Sequence, residues 1–399
     1  MEALALRDVV AVSAVRTPMG RFGGTLRNLA SSDLGAAAMT AALARCGLAG
    51  SEVDDVIFGS CRQAGNGPNP ARTAAVRAGV PITVPVVTVN MACPSGMRCA
   101  ALAANAIRLG EASWVLAGGM ESMSTMPYLL KNCRWEGFKM GNRELLDGWS
   151  DSTDPLIGQG MGETAENLAS KFGIARAEQD ALAVASHRRA AAAWDAGGFA
   201  AEVVPVAVPA RGREGATVLA QDETFRRELD LAKMAALKPA FRPDGSVTAG
   251  NSCGLSDGAA ALVLTSRDEA RRRGLAPLFS LVAYAQTAVA PETMGEGPAK
   301  AIPLALERAK MALSDLDLIE VNEAFAVQVL ANGRALDWDW DRVNVHGGAI
   351  ALGHPTGVSG ARILVTLANA LRARGKELGV ASICGGGGVT AAMIIHQEN

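Results

Sequence analysis

Residues 86–98 read Val-Val-Thr-Val-Asn-Met-Ala-Cys-Pro-Ser-Gly-Met-Arg. The β-branched run 86–89 predicts a short buried strand. Pro94 suits a first helical position, where no backbone N–H is needed, and the Ala-rich segment up to Gly110 continues as a helix. Cys93 therefore stands where a strand turns into a helix, with its sulfur at the positive end of the helix dipole. That field favours thiolate over thiol, so the position suits a nucleophile. The competing reading is a small buried hydrophobe, the fate of most free cysteines.

The same stretch recurs near the end of the chain. Ser95-Gly96-x-Arg98 returns as Ser359-Gly360-x-Arg362, and Ala104-Asn105-Ala106-Ile107-Arg108 as Ala368-Asn369-Ala370-Leu371-Arg372, both at an offset of 264. Upstream, the Ser-acidic pattern beginning at Ser51 returns at Ser314, and Gly118-Gly119 is echoed by Gly385-Gly386. Ordered matches at a nearly constant offset indicate a duplicated half. Both repeated helices, 95–109 and 359–372, are small or apolar almost all round, the pattern of helices buried on every side. Placed back to back between two sheets with outer helices beyond, they predict five layers, α-β-α-β-α. That arrangement brings Cys93 close to the segment before Ser359.

Strand-like segments at 8–15, 54–58, 113–117 and 259–265 alternate with helical ones, including 34–46 capped by Ser31 or Ser32. This alternation predicts an α/β protein with largely parallel sheets. Residues 65–70 form a Gly/Pro/Asn-rich loop. The expected division is a first half at 1–121 and 250–271, an inserted loop unit at 122–249, and a second half at 272–399. The insert holds the long polar loops 131–149 and 211–227 and an amphipathic helix at 176–196; loops of that length are usually functional.

With 399 residues, 49% of them hydrophobic and 20% charged, the composition is that of a globular enzyme. The net charge of −2 offers no attraction to nucleic acid or anionic membrane. No apolar run reaches the roughly 20 residues of a membrane span. Residues 1–8 lack a basic stretch followed by an apolar one, so no secretory signal is expected. Seven cysteines without a C-x-x-C pair point to reduced thiols, a cytoplasmic setting and no metal site.

Three further stretches carry chemistry. Asn322 follows the apolar strand 318–321 and either caps the next helix or holds a water, capping being the commoner case. His346 and His354 lie in the glycine-rich loop 344–359; loop histidines are more often solvated than catalytic, but this loop precedes a buried helix. Cys384 opens the run Gly385 to Gly388, whose N–H groups can face an oxyanion unless the run is only a tight turn. It does not fit a dinucleotide-binding fingerprint.

Together these pieces resemble the thiolases, acetyl-CoA C-acyltransferases, over essentially the whole chain. The resemblance rests on Asn90-x-x-Cys93-x-Ser95-Gly96, Asn322-Glu323-Ala324-Phe325, Gly347-Gly348-Ala349-Ile350-Ala351-Leu352-Gly353-His354-Pro355, Cys384-x-Gly386-Gly387 and Thr248-Ala249-Gly250-Asn251. It implies the five-layer thiolase-like fold and a ping-pong reaction through an acyl-cysteine. Carried over, Cys93 is the acylated nucleophile, His354 its base, and Cys384 the second acid/base. Asn322 holds a water that stabilises an enolate oxygen with His354. The N–H groups of Cys93 and Gly386 form a second oxyanion hole. Arg226, Cys253 and Met294 are the expected coenzyme A contacts. The resemblance further implies no permanently bound cofactor, acyl-CoA and CoA as small-molecule partners, and a homodimer or homotetramer.

The chain departs from the family pattern at Pro94, at Cys253 (a serine in many relatives), at Gly160 (a histidine in some short-chain enzymes) and at His346 (usually Asn). The main expectation is formation or cleavage of acetoacetyl-CoA. The alternatives are a longer-chain 3-oxoacyl-CoA thiolase and, more remotely, a non-catalytic acyl-CoA-binding subunit. A β-ketoacyl synthase would want two histidines where Cys384-x-Gly-Gly stands.

Overall fold

The computed structural model describes residues 7–135, 137–149, 153–210 and 215–398. The expectations for residues 1–6, for Glu136 and for 211–214 of the second polar loop lie outside the described residues.

The two repeated helices run from Ser95–Leu109 and Thr356–Ala373, the second starting a turn earlier than expected. They share one core with strands of both halves: Met97, Ile107, Ile363 and Leu364 pack with Val115, Leu262, Ala381 and Met393. On the far side of the first half, helices Ser31–Cys46 and Pro70–Arg77 cover Val10, Phe58 and Leu116 with Leu34, Met39 and Ala74. On the far side of the second, Pro298–Ala309 covers Val321, Val380 and Ile394 with Ile302 and Leu306. The layers are therefore the five expected, α-β-α-β-α.

The helices cross where neither carries a side chain. A Cβ on Gly96 would meet the Ala361 nitrogen at 2.7 Å, and one on Gly360 would meet the Met97 nitrogen at 2.5 Å. The two contacts are related to each other by the 264-residue offset, Gly96 to Gly360 and Met97 to Ala361, so the crossing is close to two-fold symmetric. Gly59 and Gly119 are just as tight, each facing the Gly357 carbonyl within 3 Å of where a Cβ would stand.

The strands form one ten-stranded sheet, nine of them along a path in two halves and the short Gly20–Arg21 beside Ser256–Ser266. Val86–Val89, Asp55–Gly59, Trp114–Ser122, Ser256–Ser266 and Val9–Arg16 make the first; Phe279–Ala288, Val389–Gln397, Leu378–Cys384 and Leu318–Val321 make the second. They are joined by two residue pairs, Val10 with Ser280 and Ala11 with Phe279. Parallel pairing is confined to Asp55–Gly59 with its two neighbours and to Leu318–Val321 with Leu378–Cys384. The other pairs are antiparallel, which corrects the expectation of largely parallel sheets. The reason is connectivity. Ser256–Ser266 returns from the insert rather than through a crossover helix, and Val389–Gln397 follows its neighbour through the four-glycine turn, which only a hairpin allows.

Two local readings also change. Val86–Val89 is the edge of the sheet and only half-buried, with Val87 45% exposed. The helix at Ser31–Cys46 is capped by neither serine: Ala30 is the N-cap, and its N–H bonds Asp33 Oδ2 at 3.0 Å. Helices not foreseen include Pro70–Arg77, capped by Asn69, Met161–Phe172 and Pro298–Ala309.

The insert is tied to the core by a buried arginine. Arg16, at the end of the first strand, gives Nε to Glu202 at 2.6 Å and Nη1 to Asp222 at 2.6 Å, both fully screened from water. Removing one partner of such a pair strands a buried charge, at a cost of about 3–5 kcal/mol.

Main chain cannot yield at the helix crossing as a flexible side chain could. Gly360→Ala is therefore expected to destabilise the fold by about 2–3 kcal/mol, the upper part of the overpacking range. The change should appear as a lower urea midpoint at unchanged slope. Gly215→Ala, at an open position, should stay within about 0.5 kcal/mol. Equal responses from the two would mean the crossing has room to spare.

Candidate active site

The crossing sets the first turns of the two buried helices side by side, and the loop before each is held by the serine one residue before its crossing glycine. Ser95 Oγ accepts the Met91 N–H at 2.8 Å and donates to the Ala92 carbonyl. That carbonyl also takes the Ser95 N–H at 3.0 Å and the Cys61 thiol at 2.9 Å. Ala92 is left-handed (φ 51°), a conformation that costs a non-glycine residue about 1–2 kcal/mol, and these donors hold it there. Asn90 adds a further brace, accepting the Ala92 N–H and donating to the Cys61 carbonyl. Cys93 is thus presented from a strained, fully tied turn.

Ser359 does the same for His354. His354 Nδ1 lies 2.7 Å from Ser359 Oγ, and Ser359 Oγ donates to the Pro355 carbonyl at 3.1 Å. With the serine hydrogen spent on Pro355, the imidazole donates from Nδ1 and keeps Nε2 bare as the basic nitrogen. The His354 N–H bonds the Gly254 carbonyl at 3.1 Å. Gly353 (φ 97°) could carry no side chain there, since a Cβ would stand 2.2 Å from Ser256 Oγ.

Cys384 ends the strand Leu378–Cys384, and the turn after it folds onto Cys93. A Cβ on Gly385 would lie 3.2 Å from the Cys93 nitrogen and 2.6 Å from Pro94 Cδ. The next N–H, that of Gly386, bonds the Cys93 sulfur and pulls its pKa down. The Cys253 sulfur lies close enough to Cys93 and Cys384 for both to raise its pKa, and its N–H bonds the Ala324 carbonyl at 3.0 Å. Asn322 is fully buried, and both ends of its side-chain amide lack a protein partner. A buried amide in that state has the capacity to hold a water. Cys93, Cys253, Asn322, His354, Cys384 and Gly386 therefore come from segments that the crossing, the glycine turn and these bonds draw to one end of the buried helices.

The other two expected contacts lie apart from each other. Met294 is buried in a cluster with Cys384, Ala324 and Phe325, against which Met161 packs. Arg226 lines a separate cavity of about 720 Å³ with His187, Arg188, Arg227 and Lys233.

Residues 9–268 match the thiolase N-terminal domain and residues 275–397 the thiolase C-terminal domain. The chain belongs to the thiolase family. It is 48% identical to an acetyl-CoA acetyltransferase of Escherichia coli over 399 residues, covering 99% of this chain and 100% of the relative. The acetyl-CoA acetyltransferase of Bacillus anthracis has the same fold (TM-score 0.96, 45% identity, 99% and 100% of the two chains). So has human mitochondrial 3-ketoacyl-CoA thiolase in complex with CoA (TM-score 0.94, 41% identity, 98% of each chain).

In this thiolase the resting charge state differs from the sequence expectation. Burial pushes the Cys93 thiol up to about 11, against the Gly386 N–H and the charge of Arg62. The dipole argument fails because it leaves out burial, whose cost to the charged form outweighs the N–H groups of Gly386 and Cys93 that face the sulfur. Burial likewise pushes Cys384 up to about 12 and, with Arg362, takes His354 down to about 3. The free site thus holds two thiols and a neutral imidazole, with no charge until substrate arrives.

Sequence reasoning missed Glu323 as a brace. Its buried carboxylate accepts from Ser186 Oγ at 2.6 Å, Asn344 Nδ2 at 2.9 Å and the Ile350 N–H at 3.2 Å, fixing the loop of Asn322 to that of His354. Its place beside Asn322 was the one available signal. His346, the departure from the usual Asn, packs edge-on against Phe199 of the insert, with ring centroids 5.7 Å apart.

A thiol far below its pKa gains thiolate tenfold per pH unit. Alkylation of Cys93 in the free enzyme by iodoacetamide, followed by peptide mapping, is expected to accelerate from pH 7 to pH 9 without levelling. A plateau already reached at pH 7 would mean a standing thiolate–imidazolium pair.

Proposed function

We propose that this thiolase forms and cleaves acetoacetyl-CoA through an acyl group carried on Cys93, with coenzyme A thioesters as substrates and no permanently bound cofactor. His354 Nε2 takes the Cys93 proton as the sulfur attacks the acyl-CoA carbonyl. The N–H groups of Cys93 and Gly386 receive the oxyanion. The departing CoA sulfur takes its proton from Cys384, which is left as a thiolate. That thiolate removes an α-proton from acetyl-CoA, while imidazolium His354 and a water on Asn322 hold the enolate oxygen. The enolate carbon attacks the acyl-cysteine, and Cys93 leaves and recovers its proton from His354. Every proton is returned, so the three resting groups end neutral, as they began.

The short-chain assignment rests on Met161. A Cβ on Gly386 would stand 3.4 Å from the Met161 sulfur, so this side chain lies over the oxyanion glycine. With Met294 and Phe325 in the cluster of Cys384, it would narrow the space open to an acyl chain carried on Cys93. One observation favours a longer-chain enzyme: at Gly160 a Cβ would meet nothing nearer than Glu163 Oε2 at 3.7 Å, which leaves room beside Met161. Arg226 and its basic neighbours suit the phosphates of coenzyme A, and Cys253 the inner end of the pantetheine arm. The half-buried edge strand Val86–Val89 suits pairing with a second copy, in keeping with a homodimer or homotetramer. No described helix is long and apolar enough to cross a membrane, and a cytoplasmic setting accords with the seven free thiols.

Thiolysis kinetics across 3-oxoacyl-CoA chain lengths are expected to favour acetoacetyl-CoA. A pocket discriminates by about 10- to 200-fold per methylene, so kcat/KM should fall at least tenfold by the six-carbon substrate. Met161→Ala should flatten that profile. A wild-type preference for eight carbons or more would assign the enzyme to fatty-acid breakdown instead.

The two cysteines should separate in Cys384→Ala. Peptide mapping after incubation with acetyl-CoA should still find the acetyl group on Cys93, while condensation falls by about 10²–10⁴, the usual worth of a positioned acid/base. Loss of acetylation as complete as the loss of condensation would count against these separate roles of the two cysteines.

A further inference from the structure

Helix Arg176–Asp195 of the insert gives two neighbouring residues different partners. Ser186 faces the catalytic loops: its Oγ donates to Glu323 Oε2 at 2.6 Å and accepts the Gly348 N–H at 3.0 Å. Gly347 (φ 76°) sits so close that a Cβ would stand 2.4 Å from the Ser186 carbonyl. His187 faces the basic cavity, where its buried ring accepts the Arg226 N–H on Nδ1 at 3.0 Å.

That bond carries more weight than its length suggests. Within residues 225–229 it is the one described hydrogen bond to main chain; the segment has no helix or strand to fix it. Its remaining support is from side chains: Phe225 stacks on Trp194, two turns along the same helix, at 6.4 Å and 11°, and Arg227 pairs with Asp195. The Arg227–Asp195 pair is exposed and so contributes little. An acceptor is required at Nδ1, and burial together with the Arg226 charge keeps the ring neutral, pushed down to about 4.

We propose that His187 is a positioning residue: it fixes the main chain of Arg226, so that one turn of helix sets both the coenzyme A phosphate cavity and the Asn322 and His354 loops. The role rests on the reading of that cavity as the coenzyme A site. Geometry, rather than contact with the reacting atoms, is what His187 supplies. Binding of coenzyme A is thereby registered against the helix that braces the catalytic loops.

The test compares His187→Ala, His187→Asn and Arg226→Ala in the full-length enzyme, by steady-state kinetics with acetoacetyl-CoA and by calorimetric titration of free CoA. Loss of one buried bond and release of its loop should raise KM and the Kd for CoA by roughly tenfold in His187→Ala. The kcat should stay within about twofold, because ground and transition states lose alike. Asn, whose side-chain oxygen can replace Nδ1 as acceptor, should recover most of the affinity. If the alanine variant fails to fold, His187→Leu against His187→Asn gives the same contrast of acceptor against none. A fall in kcat at unchanged KM, or no rescue by Asn, would overturn the positioning role. Arg226→Ala with unchanged affinity for CoA would instead overturn the reading of the cavity. Weak binding in Arg226→Ala beside normal binding in His187→Ala would overturn the role of His187 alone.

Discussion

Two main chains that touch without side chains between them govern this molecule. Where Gly96 faces Ala361 and Gly360 faces Met97, the buried helices approach as closely as backbones can. Everything chemical follows from that approach. It aligns two helix starts, and the loop ahead of each start ends up beside the other. The serine before each glycine then does the same task twice, gripping the loop one turn upstream, once for a thiol and once for an imidazole. A single device, duplicated with the half that contains it, thus presents two different reactive groups to one point.

Placing that point inside five layers has an electrostatic consequence. Surrounding protein replaces most of the water there, so each ionisable group prefers its neutral form: the thiols are raised and His354 is lowered. A site built this way stores no charge at rest. In the proposed reaction each proton would move only as a partner is ready to take it, and the N–H of Gly386 would supply stabilisation where negative charge develops. Arg362, buried and paired with Glu320 at 2.8 Å, adds a fixed positive charge that keeps His354 from protonating early.

How much of this was legible depended on the range of the signal. The duplicated Ser-Gly-x-Arg stretches, the all-round apolar helices and the five layers could be read directly, because each rests on local composition repeated at one spacing. Asn322 at a strand end and the glycines after Cys384 could be read as candidates for the same reason. Strand direction could not, since the return of Ser256–Ser266 from the insert has no local mark. Nor could the charge state of Cys93: a dipole argument sees the helix start but not the burial that outweighs it. Ser186 and His187 were silent because their partners lie 137 and 39 residues away in the chain, and Glu323 was marked only by its place beside Asn322.

The strand Ser256–Ser266 pairs with both Val9–Arg16 and Trp114–Ser122, so the sheet of the first half is completed by its most distant piece. During synthesis, that half stays open until the whole insert has left the ribosome. Until then the helix of Cys93 has an unfinished sheet on one side and no partner helix on the other. Closure across so long a separation is entropically slow, and it leaves apolar surface waiting for the chain. The insert cannot settle ahead of it either, because Leu168, Ala183 and Phe199 pack against Phe325, Ile350 and Leu352 of the second half; the order of translation makes the catalytic layer the last to assemble.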